Sequence, residues 1–196
     1  MKNYTHLSDQ QLVNKFLGGD STAIEKLILK YKDRVYTYII MVVKNQELAN
    51  DIFQDTFIKV IKSLKKKKYE DRGNLISWII RIAHNLIIDH FRKEKRLPTI
   101  NNSSADYDLF NSQNFSETNI EEVMIQTQIR EDVKKLIDTL PFEQKQVVLL
   151  RIYGNLSFKE ISDLTNVSIN TALGRMRYAL INMRKTIEKN NINLNV

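Results

Sequence analysis

Five Gly and two Pro are all that interrupt 196 residues, against an average usage of about 12% for the two together. Inside a helix Gly costs about 1 kcal/mol and Pro about 3 kcal/mol relative to Ala. A chain with so few of either is suited to long helices, and the expected fold class is all-α. A length of 196 residues allows one domain or two small ones, each with a modest core. The absence of Cys excludes a disulfide scaffold, a thiol nucleophile and thiolate-held zinc or iron–sulfur clusters. Three scattered His (His6, His84, His90) argue against a His-based metal site, and no cofactor is expected. The longest apolar runs, such as Tyr38–Val43, fall far short of the roughly 20 residues a membrane span needs. The stretch from Met1 to His6 lacks the apolar segment of a secretory signal, so a cytoplasmic protein is the expectation.

The formal net charge of +7 is unevenly placed. Residues 1–58 balance at seven basic and seven acidic side chains, whereas 59–96 carry twelve basic against four acidic. Residues 97–129 have no Lys or Arg but hold Asp106, Asp108, Glu117, Glu121 and Glu122. Residues 130–141 balance again, and 142–196 carry eight basic against four acidic. Two basic blocks therefore flank an acidic spacer. From Leu97 to about Asn119 that spacer is rich in Asn, Ser, Thr and Asp without a sustained hydrophobic period, the composition of a linker.

Helical periodicity dominates residues 8–64, with Gly18-Gly19 marking a break after a first short helix. Asp20-Ser21 suits the start of a helix whose apolar stripe is Ile24, Leu27, Ile28, Tyr31, Val35, Tyr38, Ile39 and Val42. A further helix from about Glu47 to Leu64 buries Ile52, Phe53, Thr56, Phe57, Val60, Ile61 and Leu64. Asp51, Gln54, Asp55 and Ile58 lie on another face. Taken alone, those carboxylates read as a solvated surface. A basic loop with an aromatic follows, Lys65 to Asn74, including Lys67, Tyr69 and Asn74. At 100° per residue, Ser77, Arg81, His84, Asn85, Ile88, Asp89 and Arg92 then share one narrow strip of an otherwise apolar helix. Trp78 is expected to belong to the core. The strip ends in Arg92-Lys93-Glu94-Lys95-Arg96, suited to phosphates, while its amide, carboxylate and guanidinium groups suit base edges.

Local signals are strongest near the C-terminus. Pro141 in the first turn and Gly154 just past the end bracket a helix with Val147, Val148, Leu150 and Ile152 inside. Ser157-Phe158-Lys159-Glu160 is a capping box opening a short helix that buries Ile161 and Leu164. Asn166 supplies the residue most tolerant of a left-handed turn, and Ser168 caps a longer helix to about Lys189. Short helix, tight turn and capped longer helix describe a helix-turn-helix. Its second helix is expected to bury Ala172, Met176, Ala179, Leu180 and Met183. Thr171, Gly174, Arg177, Tyr178 and Lys185 face outward, with Arg175 on a flank. A plain helical hairpin with basic solvated residues remains an alternative at this level.

Taken together, three motifs resemble bacterial RNA polymerase sigma factors of the sigma-70 family, the small extracytoplasmic-function type. Leu48 to Phe57 matches an A-x-D-(two apolar)-Q-(acid)-x-F segment of region 2. Gly73-Asn74-Leu75, Trp78, Arg81 to Asn85 and Asp89 to Lys93 match its later part. Leu140-Pro141, Leu150-Arg151, Glu160 to Ser162, Val167 to Thr171 and Arg175 match region 4. The resemblance covers about 8–96 and 123–187. It implies a region 2 bundle over 22–96 after an N-terminal helical extension (1–21), and an acidic flexible linker (97–122). Region 4 would span 123–189, ahead of a tail (190–196).

The same resemblance implies partners and roles. Asp51, Gln54, Asp55 and Ile58 would dock on the clamp helices of the largest subunit of core RNA polymerase. Lys67, Tyr69, Asn74, Trp78, Arg81, Asn85, Asp89, Arg92 and Lys93 would open and read the −10 element of promoter DNA. A flipped base would be received near the loop, at an unstacking cost of a few kcal/mol. Ser168, Asn170, Thr171, Gly174, Arg175, Arg177 and Tyr178 would contact the −35 element. A cognate anti-sigma factor, often membrane-anchored in this family, would cover these surfaces. Two departures stand out: Ala172-Leu173-Gly174 follows the reading Thr where the family often has Val-Lys-Ser, and Asn166 replaces the usual turn glycine. No Gly-rich phosphate loop or nucleophile–base signature is present, so a non-enzyme is expected. A stand-alone helix-turn-helix regulator, or a helical adaptor for nucleic acid or acidic proteins, are the alternatives.

Overall fold

The computed structural model describes residues 7–69, 73–94, 120–190 and 192, and for 120–127 the backbone alone. The described residues form eight α-helices: α1 (Asp9–Leu17), α2 (Ser21–Val43), α3 (Gln46–Lys65), α4 (Leu75–Glu94), α5 (Ile120–Asp138), α6 (Phe142–Ile152), α7 (Phe158–Thr165) and α8 (Ile169–Asn190). The spacer from Leu97 to Asn119 lies outside the described residues. Two compact units result, Met1–Ala105 with Leu150–Leu156, and Asp106–Leu149 with Ser157–Val196.

In the first unit, side chains at the starts of α1, α2 and α3 satisfy backbone N–H groups that a helix leaves unpaired. Ser8 and Gln11 form a capping box on α1, Asp20 accepts from Thr22 N–H at 3.1 Å, and Asn45 accepts from Leu48 N–H at 2.9 Å. α2 ends on Lys44 in the left-handed conformation (φ 53°). Asp9 ties α1 to α2 through the Lys30 ammonium at 2.6 Å and the Tyr31 hydroxyl at 2.5 Å. Burial, and secondarily the bond to Asp9, raise the pKa of Tyr31. The core is aliphatic, with Leu27, Val35, Ile39, Val60, Leu64, Leu75, Ile79, Ile80 and Ile87 fully enclosed.

Periodicity overstates that core in places. Ile28, Val42, Phe53, Ile61, Ile82, Leu86 and Phe91 are half-buried rather than enclosed. Phe53 instead joins an edge-to-face series with Tyr36 and Phe57, at ring distances of 5.8 and 4.9 Å.

The segment Leu150–Leu156 belongs to this first unit and is seated by polar contacts. Ser77 Oγ donates to Gly154 O at 2.7 Å, Asn74 Nδ2 to Asn155 O at 3.2 Å, and Arg34 Nη2 to Ile152 O at 2.9 Å. A Cβ on Gly154 would lie 2.6 Å from Leu150 O and 2.3 Å from Leu156 Cδ1. Close packing, rather than a left-handed backbone, therefore demands this glycine; the left-handed residue is Asn155 (φ 53°). Ile152, expected inside, is exposed. Pro141 stands just ahead of α6 rather than in its first turn, its carbonyl accepting from Gln144 and Lys145 N–H.

In the second unit the capping box closes as the sequence requires. Glu160 N–H donates to Ser157 Oγ at 3.2 Å, and Ser157 N–H donates to Glu160 Oε2 at 2.7 Å. Asn166 sits in the left-handed region (φ 55°, ψ 45°), turning the chain into α8. Ser168 Oγ accepts from Thr171 N–H at 3.0 Å. α8 packs on α7 and α5. Lys145, buried, pairs with Asp138.

Candidate nucleic-acid interface

The carboxylate face of α3 is where the spacing puts it. Asp51, Gln54, Asp55 and Ile58 follow an i, i+3, i+4, i+7 series and all are exposed. Ile58 shows 46% of its surface, an aliphatic centre beside two acids. Such a patch suits docking to a basic, partly apolar protein surface and would repel a duplex.

Across the same unit, the α3–α4 loop and α4 form a second surface. Lys67 is exposed at a left-handed turn (φ 52°). Tyr69 and Trp78 stack with ring centres 4.9 Å apart, tilted by 50°. Both are half-buried, so Trp78 is not the core residue expected; the Tyr69 ring covers one side of it. Asn85, Asp89, Arg92 and Lys93 are exposed along the outer side of α4, and Arg81 is half-buried among them. Arg92 reaches Asp89 at 3.8 Å, with both side chains largely in solvent, an ion pair of small energetic weight.

The structure removes two members from the strip read off the sequence. Ser77 is buried and spends its hydroxyl on Gly154 O. His84 is buried, its Nδ1 sharing a 2.8 Å hydrogen bond with the Tyr38 hydroxyl. Burial pushes the His84 pKa down to about 4 and raises that of Tyr38. His84 is thus a neutral core group, and Asn74 has its amide directed to Asn155 O.

In the second unit the helix-turn-helix offers the outer face of α8. Ser168, Asn170, Thr171, Arg177 and Tyr178 are exposed, and Gly174 and Arg175 are half-buried. Tyr178 shows 60% of its surface. Ala172 and Ala179 are the fully enclosed residues of α8, while Met176 and Met183 are half-buried. Leu180, expected in that buried stripe, is 47% exposed. It lies about 90° around the helix from the line through Ala172 and Ala179. The sequence reading also passed over Ile169 and Leu173 as surface residues. Each is 44% exposed, and the signal was the Ala172-Leu173-Gly174 departure.

Among the described residues no group of His, Cys, Asp or Glu is placed to hold a metal ion. Among them, too, no helix is long and apolar enough to cross a membrane.

Two family descriptions match the chain in order, sigma-70 region 2 over residues 27–97 and sigma-70 region 4 over residues 130–177. The chain is 27% identical over 188 residues to the RNA polymerase sigma-H factor of Pseudomonas aeruginosa, spanning 94% of each. It is 26% identical over 177 residues to the extracytoplasmic-function RNA polymerase sigma-E factor of Salmonella typhimurium, covering 87% of this chain and 89% of that one. Among solved structures, the sigma factor RpoE in complex with the anti-sigma factor NepR, from Bartonella quintana, shares the fold. The TM-score is 0.60 at 18% identity, over 84% of this chain and 96% of that one.

Proposed function

We propose an assignment of surfaces for a chain that belongs to the sigma-70 family of bacterial RNA polymerase sigma factors, in its extracytoplasmic-function branch. It is a non-enzymatic initiation factor that joins core RNA polymerase and directs it to promoters. The observation carrying this function is the ordered pair of matches, region 2 then region 4, in one chain whose relatives align over nearly all of it. A regulator acting without polymerase would need only the helix-turn-helix, and the region 2 match at 27–97 weighs against it.

Residues 22–96 serve as region 2 and 123–189 as region 4, joined by the acidic linker 97–122. The exposed acids and Ile58 of α3 support a role in docking on the polymerase clamp helices. Lys67, the Tyr69–Trp78 stack and the outer side of α4 supply cations, an aromatic platform and base-edge groups for the −10 element. Unstacking a base costs a few kcal/mol, which aromatic stacking and phosphate contacts offset. The outer face of α8 enters the −35 major groove. The protein acts in the cytoplasm, where polymerase and promoter are. A cognate anti-sigma factor, of the kind the Bartonella structure contains, masks these surfaces until a signal frees them.

Reconstituted transcription tests this reading. The chain added to core polymerase should give promoter-dependent transcripts, and Arg175→Ala with Arg177→Ala should lower them at least tenfold while core binding persists. Unchanged initiation by that double variant would remove α8 from the account.

A further inference from the structure

The −35 assignment leaves open what α8 reads with, because its entry turns lack the usual tools. From Ser168 to Gly174 there is no Lys or Arg. The two hydroxyls in that stretch are engaged with each other: Ser168 Oγ and Thr171 Oγ1 lie 2.8 Å apart, and the same Ser168 oxygen caps Thr171 N–H at 3.0 Å. Asn170 carries the remaining polar side chain. Against this, Ile169 and Leu173 each expose 44% of their surface. Four residues apart, they lie side by side on the helix.

Gly174 sits next to this pair. A Cβ there would meet nothing within 4 Å, so no packing constraint excludes a side chain, and a helix-interior Gly costs about 1 kcal/mol relative to Ala. Its missing side chain does, however, let the α8 backbone come close to an opposing surface on the side adjoining Leu173. Arg177 and Arg184 are exposed further along α8, cations suited to flanking phosphates. An apolar pair between a bare backbone and cations matches one feature of the major-groove floor, the C5-methyl of thymine, since other base edges there present hydrogen-bonding groups.

Resting on the −35 assignment above, we propose that Ile169 and Leu173 read thymine methyl groups in the −35 element. Specificity there comes from apolar contact, with Arg177 and the other cations fixing register and carrying no sequence information.

Deoxyuridine, which is thymine without that methyl, isolates the contact. Holoenzyme would select −35 sequences from randomised duplexes, and each selected thymine would then be replaced singly by deoxyuridine. Binding would be measured with holoenzyme and with the full chain alone. At one or two neighbouring positions the replacement should weaken binding about fourfold, the equivalent of one buried CH₂ group. Leu173→Ala should abolish that thymine/deoxyuridine difference at its position and leave other positions unchanged, and Ile169→Ala should do the same at the neighbouring position. Leu173→Lys should also abolish the difference at the Leu173 position while tightening binding to all duplexes. Deoxyuridine tolerated at every position, or discrimination that survives at all sensitive positions in the Ile169→Ala, Leu173→Ala double variant, overturns the proposal while polymerase-dependent initiation stands. Conversely, thymine discrimination by the chain alone without polymerase-dependent initiation would uphold the methyl contact and sink the sigma assignment.

Discussion

Tyr38 and His84 show how much a single polar contact constrains this core. Both are buried, joined at 2.8 Å, and burial alone lowers the His84 pKa to about 4. Tyr38→Phe would leave a ring nitrogen unpartnered in an apolar interior, a loss of about 1–3 kcal/mol in denaturant titration. The pH dependence follows in sign. An unfolded histidine takes up its proton near pH 6.5, whereas the native one does so only near pH 4. Between those values the unfolded chain binds the extra proton. Stability should therefore fall as pH drops from 6.5 towards 4, by up to about 1.4 kcal/mol per pH unit from this group. His84→Asn should flatten that slope between pH 7 and 5; an unaltered slope would place the histidine in solvent. Two glycines make the complementary point about space. Gly154→Ala drives a Cβ to 2.6 Å from Leu150 O and should destabilise by more than about 1 kcal/mol. Gly174→Ala meets open space and should stabilise by roughly 1 kcal/mol, and thermal unfolding of the two variants should move in opposite directions.

Helix ends were legible in the sequence because their chemistry is local. Asp20, Ser157 and Ser168 each bond a backbone N–H two or three residues onward, so composition and spacing were enough to find them. Ser157→Ala should lower stability by about 1 kcal/mol, with the loss read by urea unfolding. Asn166 was legible for the same reason, its left-handed turn being a property of one residue type. The α4 strip was misread where partners are remote. Ser77 bonds a carbonyl 77 residues away and His84 a hydroxyl 46 residues away, and helical spacing carries no information about either. Leu180 failed differently: periodicity identified an apolar stripe wider than the face that α7 and α5 cover. Trp78, one residue past Ser77, lies at 100°, between Asn85 and Asp89 on the strip, so its half-buried position was legible in the spacing; its contact with Tyr69, across a loop, was not.

Charge and exposure separate the surfaces of the molecule by partner. The acids of α3 are exposed, and under the proposed assignment they meet protein, while described cations of the basic blocks, such as Lys67, Arg92, Lys93 and Arg177, meet DNA. The net +7 is the remainder of +8 and +4 on the two basic blocks less the five acids of residues 97–129, and DNA binding should weaken steeply with salt while docking through α3 responds separately. The most direct measurement is the titration of core RNA polymerase with the labelled full chain, alongside Asp51→Arg with Asp55→Arg. Both substituted positions are exposed, so circular dichroism of the variant should match the parent. The parent chain should form a stoichiometric complex that initiates at a promoter, and the charge-reversed variant should lose affinity at least a hundredfold. A parent chain that forms no complex, or a variant that binds core as tightly as the parent, would contradict the account.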